Sequence, residues 1–146
     1  MTKKFLILFF FLTACGYEPL YINKEEIIYK KITLIGEKLI NRKIISSINF
    51  KEDSKYIDNN EIILESSKKI DTTSRNAKGQ AKTFRSNIIV KLTILKNNEV
   101  IKEKTFNESF SYQNIDNKYD LFTYQNNVEE NLVNKIVDNL NIFLKI

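Results

Sequence analysis

The side chains that could do chemistry in this sequence are one cysteine, a few acidic pairs and scattered cations. Cys15 is the single cysteine and histidine is absent. A Cys/His nucleophilic pair, a Cys/His zinc site and an internal disulfide are therefore excluded. Acidic pairs such as Glu129-Glu130 are adjacent, and adjacent residues of a helix point in different directions. We predict that the protein is not an enzyme and holds no metal or other cofactor.

The context of Cys15 indicates covalent lipid attachment. Residues 1–14 combine a basic start, an apolar run over residues 5–12 and a Thr-Ala pair immediately before the cysteine. The run is too short to span a bilayer, which needs roughly 20 residues, but it suits a secretory signal. The pattern resembles the bacterial lipoprotein signal, in which the cysteine receives a diacylglycerol anchor and palmitate. We predict a signal peptide over 1–14 and a lipidated Cys15, the alternative being a buried N-terminal strand with an ordinary core cysteine.

The residue after the cysteine indicates a destination. In many bacteria Asp at that place retains lipoproteins in the inner membrane, whereas this chain has Gly16. We therefore expect attachment to the inner leaflet of the outer membrane, with the body facing the periplasm. The formal charge of +5 reflects the Lys-rich composition typical of a genome poor in G and C. We expect no nucleic-acid partner.

The first part of the mature chain predicts a tether, a strand and a helix. Residues 15–30 contain Pro19, which disfavours helix, and we predict an extended tether there. One domain follows over residues 31–146. It begins with a short strand that ends at Gly36 and continues with a helix over about 37–49, where isoleucines recur every fourth residue. The polar residues 51–60 predict a surface connection.

The middle of the chain predicts three long antiparallel strands. Apolar and polar residues alternate over 62–71 and again over 83–95, and a return strand starts at Val100 after an Asn-Asn turn. The alternation indicates a sheet with one buried side. Residues 71–80 form a polar tip between the first two of these strands.

The C-terminal part predicts a helix of about 25 residues with Asp120 as its cap. Its apolar stripe comprises Leu121, Tyr124, Val128, Leu132, Ile136, Leu140 and Phe143. The element order is then β-α-β-β-β-α. We predict an α+β two-layer sandwich, in which two helices lie on one face of a four-stranded mixed or antiparallel sheet.

The segment Cys-Gly-Tyr-Glu-Pro-Leu-Tyr at residues 15–21, together with this element order, resembles the LPS-assembly lipoprotein LptE family of the α-proteobacterial type. The resemblance implies a non-enzymatic outer-membrane lipoprotein. Members plug the lumen of the β-barrel LptD, support its assembly and contact lipopolysaccharide during its delivery to the outer leaflet. The outer membrane, LptD and lipopolysaccharide are thus the expected partners.

The resemblance also suggests lipopolysaccharide-binding residues. In the family, basic residues near the tip between the second and third strands carry this role. Arg75 matches by position, and Lys78 and Arg85 lie near it. The family's second basic position, near the start of the last helix, has no match, and Lys118 is the nearest cation. For Arg75 and Lys78 an ordinary solvated loop charge is the alternative.

Aromatic residues and the remaining alternatives stay open at this stage. We expect Phe84, Phe106, Phe110, Tyr112 and Tyr124 to serve as core or plug-facing surface rather than as a ligand site. Tyr17 and Tyr21 fit either a membrane interface or the domain edge. A second hypothesis is an accessory lipoprotein of another envelope machine, such as barrel insertion, that uses an exposed sheet edge. A third is an envelope hydrolase, although no Gly-x-Ser-x-Gly motif occurs.

Overall fold

The computed structural model describes residues 26–145. The signal peptide, Cys15, Gly16, Tyr17, Tyr21 and tether residues 15–25 lie outside that range, so the predictions made for them stay predictions. The elements are β1 (Ile27–Tyr29), β2 (Lys31–Gly36), α1 (Lys38–Ile48), β3 (Phe50–Glu52), β4 (Asn60–Arg75), β5 (Ala81–Lys96), β6 (Glu99–Gln113) and α2 (Lys118–Lys145).

The main sheet has four strands in the order β2-β4-β5-β6. β2 runs parallel to β4, with Ile32 opposite Ile62, whereas β4, β5 and β6 are antiparallel neighbours. The parallel pair requires a crossover, which α1 and β3 provide. The predicted α+β fold, with two helices and a four-stranded mixed sheet, is confirmed.

The core lies between one face of the sheet and the two helices. Alternate sheet residues such as Leu64 and Val90 are completely buried, because side chains of a strand point to the two faces in turn. The helices contribute residues at helical spacing, which are Ile40, Ile44, Ile48, Val128, Leu132, Val133, Ile136, Val137 and Leu140. Between the helices, Lys43 Nζ lies 2.9 Å from Glu130 Oε1, and this hydrogen bond lowers the pKa of Glu130.

The connection from β2 to α1 depends on Gly36. Its φ of +88° is unfavourable for residues with a side chain, and a Cβ there would meet the backbone oxygen of Ser66 at 1.9 Å. The close approach allows Glu37 N to donate to Ser66 O and Ser66 Oγ to donate to Glu37 O, each at 3.2 Å. The predicted strand end at Gly36 is therefore also a contact with the neighbouring strand.

A small second sheet was not predicted. β1 pairs in parallel with β3, and between them Tyr29 and Phe50 pack edge to face with ring centroids 5.4 Å apart. Both rings are buried, and burial raises the pKa of Tyr29 to about 12. Residues 27–29 of the predicted tether are thus an ordered strand, and residues 51–52 of the predicted surface connection belong to β3.

The long strands and the last helix extend further than predicted. β4 continues to Arg75, so its 16 residues span roughly 50 Å. The β5–β6 turn has Asn97 and Asn98 at positive φ, as the Asn-Asn pair indicates. Asn117 caps α2, because its Oδ1 accepts hydrogen bonds from the backbone N of Tyr119 at 2.9 Å and of Asp120 at 3.5 Å. The prediction of Asp120 as the cap is wrong, and this residue lies in the first turn.

Candidate functional site

The most distinctive polar structure is the turn that joins β4 to β5, at residues 76–80, which we call the tip. Asn76 organises it, since its Oδ1 accepts hydrogen bonds from the backbone N of Lys78 and of Gln80, both at 3.0 Å. Gly79 adopts a φ of +78° with open space around it. The turn is therefore held by its own hydrogen bonds, and the Lys78 side chain is exposed at its end.

The tip is basic. Residues 75–82 include Arg75, Lys78 and Lys82 and contain no acidic residue. Arg75 Nη1 donates to Gly79 O at 2.9 Å, which holds the guanidinium against the turn. Among the described residues, no carboxylate forms an ion pair with any of these three cations. Their charges are therefore available to an anionic ligand.

A polar cavity of about 390 Å³ lies beside the tip. Amide side chains dominate its lining, with Lys82 and Asp116 as the charged members; the lining residues are Asn76, Gln80, Ala81, Lys82, Gln113, Asn114 and Asp116. Amides offer both donors and acceptors, and lysine offers a charged donor. The cavity can therefore hydrogen-bond hydroxyl and phosphate groups, but it offers little apolar surface.

The four predicted cations do not converge on one point. Arg75 and Lys78 meet at the tip, whereas Arg85 stands on the sheet face away from the helices, where its Nε donates to Ser111 Oγ at 3.1 Å. Lys118 begins α2 in the helix layer. Lys82 was missed, although it lies in the same acid-free run and follows Ala81, the cross-strand partner of Arg75.

An apolar notch lies between β4 and the first half of α2. Ile70 is 41% exposed and Phe122 is 61% exposed, and both line a cavity of about 170 Å³. The ion pair between Lys68 and Glu129, at 2.7 Å, lies along the same cavity. The N-terminal half of α2 thus combines exposed aromatic surface with nearby charges, a feature that the sequence did not reveal.

The predicted aromatic residues are mainly structural. Phe106 and Tyr112 are buried, and Phe84 packs on Tyr112 with ring centroids 5.8 Å apart. Tyr112 also contacts Tyr124 at 5.6 Å. The predicted core role is therefore confirmed for Phe84, Phe106 and Tyr112. Phe110 and Tyr124 remain 46% and 38% exposed.

Residues 26–145 contain neither a candidate metal site nor a helix that could cross a membrane. No group of three or more His, Cys, Asp or Glu side chains in that range is placed to hold a metal ion. None of its helices is both long and apolar enough to cross a membrane.

The fold is shared with solved bacterial lipoproteins. Rare lipoprotein B from Shewanella oneidensis superposes with a TM-score of 0.59 at 13% identity, covering 79% of this chain and 93% of that one. Lipoprotein B from Nitrosomonas europaea gives 0.60 at 9% identity, covering 79% and 81%. A minor lipoprotein from Acinetobacter baumannii gives 0.55 at 13%, covering 78% and 89%. No family model and no curated sequence matches the chain.

Proposed function

We propose that this chain is a lipid-anchored outer-membrane lipoprotein that plugs and helps assemble the LptD β-barrel and contacts lipopolysaccharide during its delivery. It would bind and position other molecules without catalysis. The observation that carries the proposal is a roughly 50 Å hairpin with a basic, acid-free tip, on a fold that solved bacterial lipoproteins share. The lipoprotein-type sequence around Cys15 supplies the anchor.

The direction of the chain supports this arrangement. Lys30 N donates to the backbone oxygen of Asn60, the first residue of β4, at 2.8 Å. The described N-terminus therefore lies at the end of the sheet opposite the tip, which we call the base. In a chain anchored through Cys15, the base would lie nearer the lipid anchor. The tip would lie further from the anchor by the length of a long strand.

The uncovered sheet face suits a polar, water-filled barrel lumen. Two ion pairs lie on it, with Lys91 Nζ 3.1 Å from Glu103 Oε2 and Lys69 Nζ 2.9 Å from Asp71 Oδ1. Such a face offers hydrogen bonds to the barrel wall without a strong net charge. Lumen walls are themselves polar, so the two surfaces are chemically compatible.

The tip supplies the chemistry for lipopolysaccharide, which carries phosphates and carboxylates. A guanidinium and two ammonium groups without acidic partners match those anions. Of the predicted cations, Arg75 and Lys78 are best placed, because both lie at the turn between β4 and β5. Lys82, at the start of β5, is a third cation beside them. Arg85 lies on the sheet face away from the helices, and Lys118 lies in the helix layer. The nearby notch at Ile70 and Phe122 adds apolar surface at the same end of the molecule.

Co-purification tests the partner. The mature lipoprotein, isolated from detergent-solubilised outer membranes, should bring LptD with it in equimolar amounts. Repeated absence of any large β-barrel protein would contradict the proposal. Recovery of a barrel-insertion subunit without LptD would instead favour the accessory role in another envelope machine.

Charge reversal tests the ligand. We expect Arg75→Glu combined with Lys78→Glu to weaken lipopolysaccharide binding, because four units of charge change at the tip. The matched control is Lys55→Glu with Lys96→Glu, which changes the same charge at two exposed residues of the base. Circular dichroism should show that both double variants fold. Equal binding by the tip variant and the control would reassign the tip cations to solvated surface.

A further inference from the structure

One long edge of the main sheet is unpaired within the part of the chain that the structure describes. β6 is the last strand in the order, and within residues 26–145 only β5 pairs with it. Its 15 residues exceed the six of β2 at the other edge. A free edge presents a row of unpaired backbone N–H and C=O groups, which another strand can bind.

The half of this edge nearer the base, residues 99–106, is protected against such pairing. Leu95 pairs with Val100 and Ile94 pairs with Lys102, so Ile101 is the extra residue of a β-bulge. Lys102 and Lys104 follow on the same strand. Bulges and edge lysines are the devices by which proteins block strand addition.

The half nearer the tip, residues 107–113, has neither a bulge nor edge lysines. Residues 107–113 pair with β5 in an unbroken register and contain no lysine and no proline. Glu108 is their one charged residue, and Asn139 Nδ2 donates to it at 3.3 Å. The edge is therefore nearly neutral and regular over seven residues, the length of a typical strand.

A groove runs beside this half, between β6 and α2, with a volume of about 470 Å³. Phe110 and Tyr124 expose their rings to it, and Val128 and Leu132 form its apolar floor. Asn127, Asn131 and Asn134 line its polar side. A strand added to the edge would direct every second side chain toward this groove.

We propose that residues 107–113 bind an extended segment of a partner protein as a fifth strand of the sheet. Main-chain hydrogen bonds would provide the pairing, and alternate apolar side chains of the segment would enter the groove at Phe110 and Tyr124. The other side chains would continue the uncharged polar surface of Asn107, Ser109 and Ser111.

Charge gives the segment a direction. Lys102 and Lys104 lie over the ring of Phe143, at 5.6 and 5.3 Å from its centroid, whereas in the groove itself Lys135 is accompanied by Asp138. No described carboxylate forms an ion pair with Lys102 or Lys104. The partner segment should therefore carry acidic residues at the end that lies toward the bulge. This inference stands apart from the proposed lipopolysaccharide contact, because it uses neither the tip nor the anchor.

Synthetic peptides test strand addition on the purified full-length chain in detergent. The probe is a nine-residue peptide of alternating valine and threonine with two glutamates at one end. Two further peptides have the same sequence with N-methyl groups on alternate backbone amides. In one peptide the methylated amides are those that point to one side of the strand, and in the other peptide they are those that point to the opposite side. We expect one methylated peptide to bind at least about tenfold more weakly than the probe and the other to retain binding, because only one edge of the added strand pairs with β6.

Two protein variants locate the site. Phe110→Ser should remove most of the binding, whereas Ile101→Ser, at a similarly exposed position in the bulge, should leave it unchanged. Replacing the two glutamates of the probe by lysine should weaken binding as well. Added protection from hydrogen exchange at those amides of residues 107–113 that point away from β5 would place the probe on the edge.

Several outcomes would overturn the proposal. Absence of probe binding, equal loss in the two variants, or equal affinity of both methylated peptides would contradict strand addition at residues 107–113. A concentration-dependent dimer that Phe110→Ser abolishes would make a second copy of this chain the occupant. Failure of the LptD co-purification would leave each of these measurements valid, so the two proposals can fail separately.

Discussion

Replacement of Gly36 by alanine should destabilise the fold strongly, because two costs coincide at this residue. An alanine at φ +88° carries a conformational penalty of roughly 1–2 kcal/mol. Its Cβ would also meet Ser66 O at 1.9 Å, so the strand must shift away. The shift would disrupt the two hydrogen bonds between Glu37 and Ser66, each contributing about 1 kcal/mol. The expected loss in the free energy of unfolding is therefore about 3–4 kcal/mol.

Gly79→Ala is the matched control. Gly79 has a similar φ of +78°, but no atom lies within 4 Å of the position of its added Cβ. This variant should lose only the roughly 1–2 kcal/mol that comes from backbone conformation. Urea unfolding followed by circular dichroism measures both values. If the two variants lose stability within about 0.5 kcal/mol of each other, the contact between Gly36 and β4 does not constrain the fold and the reasoning fails.

Three further predictions test the core, the helix cap and the buried tyrosine. Ile136→Ala, at a fully buried position of α2, should cost about 2–5 kcal/mol in urea unfolding, whereas Ile142→Ala, at a position 60% exposed, should cost under about 1 kcal/mol. Asn117→Ala should cost about 1 kcal/mol by removing the cap of α2, and an unchanged unfolding midpoint would contradict that role. Burial raises the pKa of Tyr29 from 10.0 to about 12, so the folded state disfavours the phenolate. Stability should therefore be intact below pH 10 and fall by roughly 2 kcal/mol as pH rises to 12. Tyr29→Phe should remove that alkaline loss, and an identical pH profile for this variant and the wild type would refute the assignment.

The larger elements were predictable because their periodicity is long and regular. Apolar and polar residues alternate along the 16 residues of β5, and the apolar stripe of α2 recurs along 28 residues. A single residue that departs from such a long pattern does not change the prediction. β1 and β3 have three residues each, too few for a period to appear. They form because tertiary contacts, chiefly the packing of Tyr29 on Phe50, stabilise them. No pattern within either segment could indicate the other as its partner.

The candidate site was predictable in part for a related reason. The cations near the tip are adjacent in sequence, so Arg75 and Lys78 meet as soon as a turn forms between β4 and β5. Arg85 and Lys118 are placed by the alternation of strand faces and by the connection to α2, which separate them. The groove at Phe110 combines an edge strand with a helix distant in sequence. Its residues become neighbours only through the register of the whole sheet and the packing of α2.

A mismatch in length between helices and sheet explains why Ile70, Phe110 and Phe122 stay exposed in the half of the molecule nearer the tip. α1 has 11 residues and covers roughly 16 Å, whereas α2 covers roughly 42 Å and β4 roughly 50 Å. Beyond the N-terminus of α1 a single helix must cover several strands, so Ile70 and Phe122 stay exposed on one side of α2 and Phe110 on the other. A longer α1 would cover part of the notch and add core contacts. The short helix therefore gives up stability and leaves open the two surfaces for which ligand and partner binding are proposed.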